Sequence, residues 1–234
     1  MFKSNREFIS IVQNSLNSLS NDMFISPKLI LNIGRDIVSD FLKKDSESRR
    51  VTTISEGWAE LECLPMVEVP VTECSDLDTR LCTKLMRTKD KIPETFSGYY
   101  GNLIKQVASI NFGQFYDFIR SPRLWKDIQN RPFKDNRVKY YFFINGYIYI
   151  PNSDVESIRV EALFKNKWEV DILNKKQCST CKEGCVKPLD YEFVCPDYLL
   201  NPVQTETVNK LINKFNIPID ERIDLNSHQK TEQK

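Results

Sequence analysis

Apolar residues in the first part of the chain recur at helical spacing. Ser4 and Glu7 form a capping box ahead of such a segment, since the serine can cap the helix while the glutamate reaches back to it. Ser26 and Pro27 mark a second helix start, with serine as the N-cap and proline in the first turn. The pattern therefore predicts an N-terminal helical hairpin within residues 1–50.

Residues 51–177 change to the period of two that is typical of strands. In "AELEC" (59–63) apolar residues alternate with glutamate, and later segments repeat this alternation. The segment "VESIRVEALF" (155–164) keeps no strict apolar face, which predicts a bulge or an irregular start. We expect a β-rich middle region, built as an antiparallel or sandwich-like sheet, and hence an α+β fold.

The segment "KYYFFINGYIYIPN" (139–152) predicts a projecting β-hairpin with two apolar faces. Asn145-Gly146 is a two-residue turn signal, and both arms are apolar or aromatic at nearly every position. Strand alternation places Tyr140, Phe142 and Ile144 on one face, and Tyr141 and Phe143 on the other. One face packs on the chain's own core. The second is covered by the same chain or by a neighbouring subunit, and a projecting hairpin favours the neighbour.

The rest of the chain is predicted to contain two more helices and a tail. Ser121, followed by proline, repeats the helix-start signal for a short helix inside the β-rich region. Asn201-Pro202 opens a C-terminal helix within residues 199–218. Residues 219–234 are polar, and we expect them to form a frayed tail.

A cysteine-rich loop is predicted at residues 178–198. Four cysteines of this region could surround one zinc ion tetrahedrally: Cys178, Cys181, Cys185 and Cys195. The spacing differs from that of a regular zinc ribbon, which has two C-x-x-C pairs where this sequence has one. Free thiols are therefore the alternative to a structural zinc. No other cofactor is predicted.

Charge and composition weaken several classes of function. The chain has 33 basic and 32 acidic residues, a net charge of +1, so no overall field attracts it to nucleic acid or to an anionic membrane. It shows neither a run of 18 apolar residues nor a signal-peptide pattern, and no membrane partner is expected. The single histidine, His228, falls in the polar tail, and the seven glycines form no phosphate-binding motif. We predict that the chain is not an enzyme.

Several segments, taken in order, resemble a known family. These are "LMRTKDKIP", the stretch "NGYIYIPNSD" with the "IRVEALF" that follows it, and "FVCPDYLLNPVQTETVNKLI". In this order they resemble the ring, adaptor or head-tail connector proteins of crAss-like and related short-tailed bacteriophages. With the N-terminal helices, the resemblance covers most of residues 1–215.

The resemblance implies a virion protein that is assembled in the host cytoplasm. It implies a ring, a dodecamer, stacked below the portal protein, with the terminal helices contacting the portal and neighbouring subunits and the β-rich part packed between copies. DNA would pass through the lumen of such a ring without sequence readout.

Combining the residues with the resemblance, we predict a ring-forming structural protein. The side chains expected at the subunit interface are Tyr141, Phe143, Tyr147 and Tyr149 of the hairpin, followed by Phe8 and Leu16 of the first helix. The alternative is a zinc-stapled nucleic-acid-binding or regulatory module, which the four cysteines and basic stretches such as "RSPRLWK" support.

Overall fold

The computed structural model has a closed β-barrel with helices before and after it in the chain. It describes residues 4–18, 25–47, 57–70, 84–98, 101–177 and 187–215. The predicted α+β class, with helices flanking a β-rich middle, is confirmed. The sandwich-like arrangement is wrong, because the main sheet closes on itself through seven strands. Residues 178–186 of the predicted cysteine-rich loop and the whole polar tail with His228 lie outside the described residues.

Within the described ranges, nine strands form the β-rich middle. Their bounds are β1 (Ala59–Glu68), β2 (Leu85–Thr88), β3 (Ser97–Gly98), β4 (Gly101–Asn102), β5 (Ile104–Ser109), β6 (Phe115–Phe118), β7 (Lys139–Ile144), β8 (Tyr147–Pro151) and β9 (Ser157–Ala162). The barrel order is β1-β2-β8-β7-β6-β5-β9, and β3 pairs with β4 in a separate two-stranded sheet. Closure gives β1 and β9 a pairing partner on each side and leaves the barrel without a free sheet edge.

One pair of neighbouring barrel strands is parallel. β6 and β7 run in the same direction, with Tyr116 opposite Lys139. Parallel neighbours need a crossover connection, and the helix α3 (Pro122–Gln129) lies in it. The predicted cap of this helix is confirmed, since Leu124 N donates to Ser121 Oγ at 3.3 Å. The purely antiparallel sheet that the sequence suggested is therefore corrected at this position.

The irregularity predicted for residues 155–164 lies instead in the neighbouring strands. Within β9, Ile158, Val160 and Ala162 alternate strictly into the barrel core. The register shifts in β1, between Leu61 and Leu64, and at the start of β5. β9 is therefore regular, and its two partners absorb the bend of the barrel wall through their extra residues.

The β7–β8 hairpin forms with the predicted turn. Asn145 and Gly146 both have positive φ angles, 53° and 86°. A two-residue hairpin turn of this kind requires positive φ at both central positions, which Asn-Gly adopts at low cost.

Four further helices lie in the described part of the chain. These are α1 (Asn5–Asn17), α2 (Pro27–Glu47), α4 (Lys167–Gln177) and α5 (Leu200–Phe215). The predicted cap of α1 is confirmed, since Glu7 N donates to Ser4 Oγ at 3.2 Å. α5 begins one residue before the predicted start and follows a short 3-10 turn. α4 was not predicted, because its apolar residues do not follow a clear helical stripe.

Helices α1, α2 and α5 share a core of their own that joins the barrel at one end. α5 packs against both α1 and α2. Phe8 of α1 stacks on Phe193, with ring centroids 4.0 Å apart and planes 5° from parallel. Gly34 of α2 makes room for this pair, because a Cβ atom there would lie 2.7 Å from the Phe8 ring. Phe96, just before β3, and Leu163, just after β9, belong to the same core.

Candidate subunit interface

The tip of the β5–β6 hairpin presents three apolar side chains to solvent. Ile110, Phe112 and Phe115 are each about half exposed, at 47%, 46% and 52%. The rings of Phe112 and Phe115 lie 6.4 Å apart between centroids. We call these three residues the tip patch. Neighbouring apolar side chains exposed on one short hairpin are typical of a protein contact surface.

Hydrogen bonds fix the turn that carries the tip patch. Ser109 N donates to Gln114 O at 2.8 Å, and Gln114 N donates to Ser109 Oγ at 3.0 Å. Gly113 N donates to Asn111 Oδ1 at 3.1 Å. Phe112, enclosed by these bonds, has a φ of 54°, which is uncommon for an aromatic residue. The turn is thus preorganised, so a partner would bind without ordering the loop.

A cleft of about 340 Å³ opens beside the tip patch on the outer wall of the barrel. The cleft lies on the outer wall because Val107 and Val160 face the barrel core. Residues on either side of these valines in their strands face the other way, and they line the cleft. Its walls include Trp58, Ala59 and Glu60 at the start of β1, Ala108 of β5, Phe112 of the tip and Arg159 of β9.

Charges around the cleft are paired with one another. Arg159 Nε lies 2.5 Å from Glu60 Oε1, and its guanidinium lies 4.7 Å from the Phe112 ring centre. Lys105 Nζ lies 2.7 Å from Glu161 Oε1. Because each of these cations has a carboxylate partner, the cleft has a balanced, partly aromatic wall. Such a wall suits an aromatic side chain better than a free ion.

The predicted interface residues of the β7–β8 hairpin lie on both sides of the barrel wall. Tyr141 belongs to the barrel core and is 4% exposed, and Phe143 packs against the same core. Burial raises the pKa of the Tyr141 hydroxyl above its usual range. Tyr147 and Tyr149 belong to a separate cluster on the outer face, together with Phe142. The two predicted faces of the hairpin are therefore present.

The outer face of this hairpin is covered by the same chain. Trp125 of α3 is 4% exposed and belongs to the outer cluster. The rings of Phe142 and Tyr149 in that cluster are stacked, 5.3 Å apart between centroids. The crossover between β6 and β7 places α3 over the hairpin. Of the two covers that the sequence left open for the second face of the hairpin, the same chain or a neighbouring subunit, these contacts favour the same chain.

Phe8 and Leu16 are also buried by their own chain. Phe8 has no exposed surface and Leu16 has 2%, both within the core that the helices share. In this fold they stabilise the packing of α1 on its neighbours. A contact with another subunit through α1 needs other side chains.

Of the four candidate zinc ligands, the structure describes Cys195. Cys178, Cys181 and Cys185 lie outside the described residues. Cys195 is partly buried, and burial raises the pKa of its thiol to about 12. Within the described ranges, no group of three or more His, Cys, Asp or Glu side chains is placed to hold a metal ion. Zinc binding by the four cysteines stays a prediction.

The sequence did not reveal the tip patch, because "IKQVASINF" (104–112) is compatible with one continuous strand. In the structure β5 ends at Ser109, and Phe112 belongs to the turn. The signal was present, since Asn111 and Gly113 are both turn-forming residues and flank Phe112. Apolar residues between turn formers indicate a loop that presents them to solvent.

None of the described helices is long and apolar enough to cross a membrane.

Comparison with known proteins identifies the family of the chain. No curated protein matches it. The family model described as phage tail ring protein 2 matches residues 7–229, which include both terminal helical regions and the whole barrel. This agrees with the resemblance to crAss-like phage ring proteins noted in the sequence. The match covers nearly the whole chain, which therefore belongs to the phage tail ring protein 2 family, a structural component of the phage tail.

Proposed function

We propose that the chain assembles into a closed homo-oligomeric ring, a dodecamer, between the portal and the tail of the virion. DNA passes through the lumen of this ring. The observation that carries the proposal is the tip patch in a member of a tail ring family, because a ring subunit must offer each neighbour a contact surface. The portal neighbour and the DNA conduit follow from the resemblance noted in the sequence.

The mechanism of such a ring is geometric. One surface of each copy contacts a different surface of the next, and the repeated rotation closes when the last copy meets the first. No bond is made or broken. The near-neutral chain, with a net charge of +1, would hold passing phosphate groups only weakly, so DNA could slide through.

Removing the tip patch tests this proposal. The parent chain should form particles of about twelve times the 27.4 kDa chain mass, in light scattering and electron microscopy, alone or with a portal protein. We expect Phe112→Asn with Phe115→Thr to remain folded but to assemble at least about tenfold more weakly. Asparagine tolerates the positive φ at position 112, and threonine suits a strand.

Phe215→Ser, at the exposed end of α5, is the control for loss of one surface phenylalanine. It should assemble like the parent. A parent chain that stays monomeric with and without a portal would contradict the ring. Normal rings from the tip variant would show that the contact lies elsewhere.

The alternative function predicts different behaviour. A zinc-stapled nucleic-acid-binding module would be monomeric, and its DNA affinity would fall steeply as salt increases. A ring protein should show large assemblies and little such affinity. The same light-scattering samples, titrated with duplex DNA at two salt concentrations, separate the two functions.

We propose zinc as a structural staple in either case. If Cys178, Cys181, Cys185 and Cys195 bind it, elemental analysis should give about one zinc per chain. Cys181→Ser should release the metal, while Cys63→Ser, at an exposed cysteine of β1, should retain it. Absence of zinc from protein purified without chelator would show that these cysteines are free thiols.

A further inference from the structure

The crossover segment between β6 and β7 concentrates positive charge. Residues 120–139 contain seven lysine and arginine residues and two aspartates, a formal charge of +5. Because the whole chain carries +1, the remainder carries −4. The cations of this segment are Arg120, Arg123, Lys126, Arg131, Lys134, Arg137 and Lys139.

The end of the crossover segment exposes an aromatic ring among these cations. Phe133 is 97% exposed and lies between Arg131 and Lys134. Lys134 Nζ donates to the neutral amide of Gln129 at 3.1 Å. In the described part of the chain, Arg131, Lys134 and Arg137 form no ion pair. An exposed phenylalanine flanked by such cations is suited to contact an acidic, partly apolar surface.

Strand β1 has the opposite charge. Its ten residues include Glu60, Glu62 and Glu68 and no lysine or arginine. Glu62 and Glu68 are exposed, while Glu60 borders the cleft beside the tip patch. β1 therefore presents two exposed carboxylates, Glu62 and Glu68, and begins at the cleft, where Glu60 is paired with Arg159.

The barrel topology separates these two surfaces. In the closed order β1-β2-β8-β7-β6-β5-β9, β1 lies three strands from β7 in one direction and three strands from β6 in the other. The crossover segment, which joins β6 to β7, thus emerges on the side of the barrel opposite β1. One rigid body carries a basic surface and an acidic surface on opposite sides, as a head-to-tail contact requires.

We propose that the crossover segment of each copy docks on the β1 side of the next copy, with Phe133 entering the cleft. The inference rests on the proposed ring and names its contact surfaces. Charge complementarity supports a second copy as the occupant, since Arg131, Lys134 and Arg137 would face Glu62 and Glu68. The cleft volume of about 340 Å³ accommodates a phenyl ring, and its aromatic walls match it.

Charge reversal on each surface tests the pairing. One variant carries Arg131→Glu, Lys134→Glu and Arg137→Glu, and the other carries Glu62→Lys and Glu68→Lys. Each variant alone would present like charges at every contact, and we expect it to assemble about tenfold more weakly or worse. A one-to-one mixture restores opposite charges at every contact, so rings of alternating variants should return. All changed side chains are exposed, so melting temperatures should stay near that of the parent.

A second variant tests the aromatic contact. Phe133→Ser should keep the parent melting temperature and weaken assembly about tenfold, whereas Phe215→Ser should not weaken it. Rings that form normally from both charge variants, or a mixture that stays disassembled, would overturn the pairing while leaving the ring itself intact. A parent chain that never assembles would overturn both proposals. The variant with Arg131→Glu, Lys134→Glu and Arg137→Glu could instead assemble like the parent but lose affinity for duplex DNA at low salt. In that case the crossover segment faces DNA, and the pairing is wrong.

Discussion

Phe8→Ala should lower the free energy of unfolding of the isolated chain by about 3–5 kcal/mol. The side chain has no exposed surface, and its ring stacks on Phe193 at 4.0 Å. Removing it leaves a cavity between α1 and α2 that the backbone of Gly34 cannot fill. Urea denaturation followed by circular dichroism, at concentrations below those of assembly, measures the change.

Phe112→Asn is the matched control for this prediction. It also removes a phenyl ring, but one that is half exposed on the β5–β6 turn. Its effect on the free energy of unfolding should stay within about 0.5 kcal/mol. If Phe8→Ala instead left stability unchanged and abolished assembly, Phe8 would be an interface residue, as the sequence first suggested, and its burial in this fold would be wrong.

The apolar stripe around Phe8 shows what such a pattern can predict and what it cannot. The helical spacing around Phe8 correctly indicates an apolar stripe on α1, and the capping box correctly marks its start at Ser4. The stripe looks the same whether its partner is α5 of the same chain or a helix of another copy. Periodicity identifies a buried face, and only the tertiary fold shows what buries it.

The β-rich region shows the same limit. Asn145-Gly146 and the alternation around it predict the β7–β8 hairpin and its two faces, because turn geometry and strand period are local properties. Barrel closure depends on pairing between β1 and β9, about a hundred residues apart in the chain. The parallel β6–β7 pair likewise depends on where the crossover returns. Neither the barrel closure nor the parallel pair has a local signal in the sequence.

The sequence did not reveal the proposed contact surfaces, the crossover segment and β1, for a related reason. The charges of the whole chain sum to +1. Residues 120–139 nevertheless carry +5, and β1 carries three glutamates with no cation. The sequence shows both biases, but only the barrel order places them on opposite sides. The contact surfaces that we propose for the ring therefore rest on local charge and topology taken together.

Trp125→Ala should destabilise the chain by about 3–5 kcal/mol and open the outer face of the β7–β8 hairpin. Trp125 is 4% exposed and belongs to the cluster that contains Phe142 and Tyr149. Without the indole, α3 loses its buried anchor, since no other residue of this helix is fully buried. Hydrogen exchange should show faster exchange in β7 and β8 than in the helical core.

Leu124→Ala is the control in the same helix, because Leu124 is the adjacent residue and is exposed. Both changes shorten an apolar side chain in α3, so they differ mainly in burial. Leu124→Ala should change the free energy of unfolding by less than about 1 kcal/mol and leave exchange in β7 and β8 unaltered. Equal, small effects of both changes would mean that α3 does not cover the hairpin. A neighbouring subunit would then again be the best candidate to cover that face.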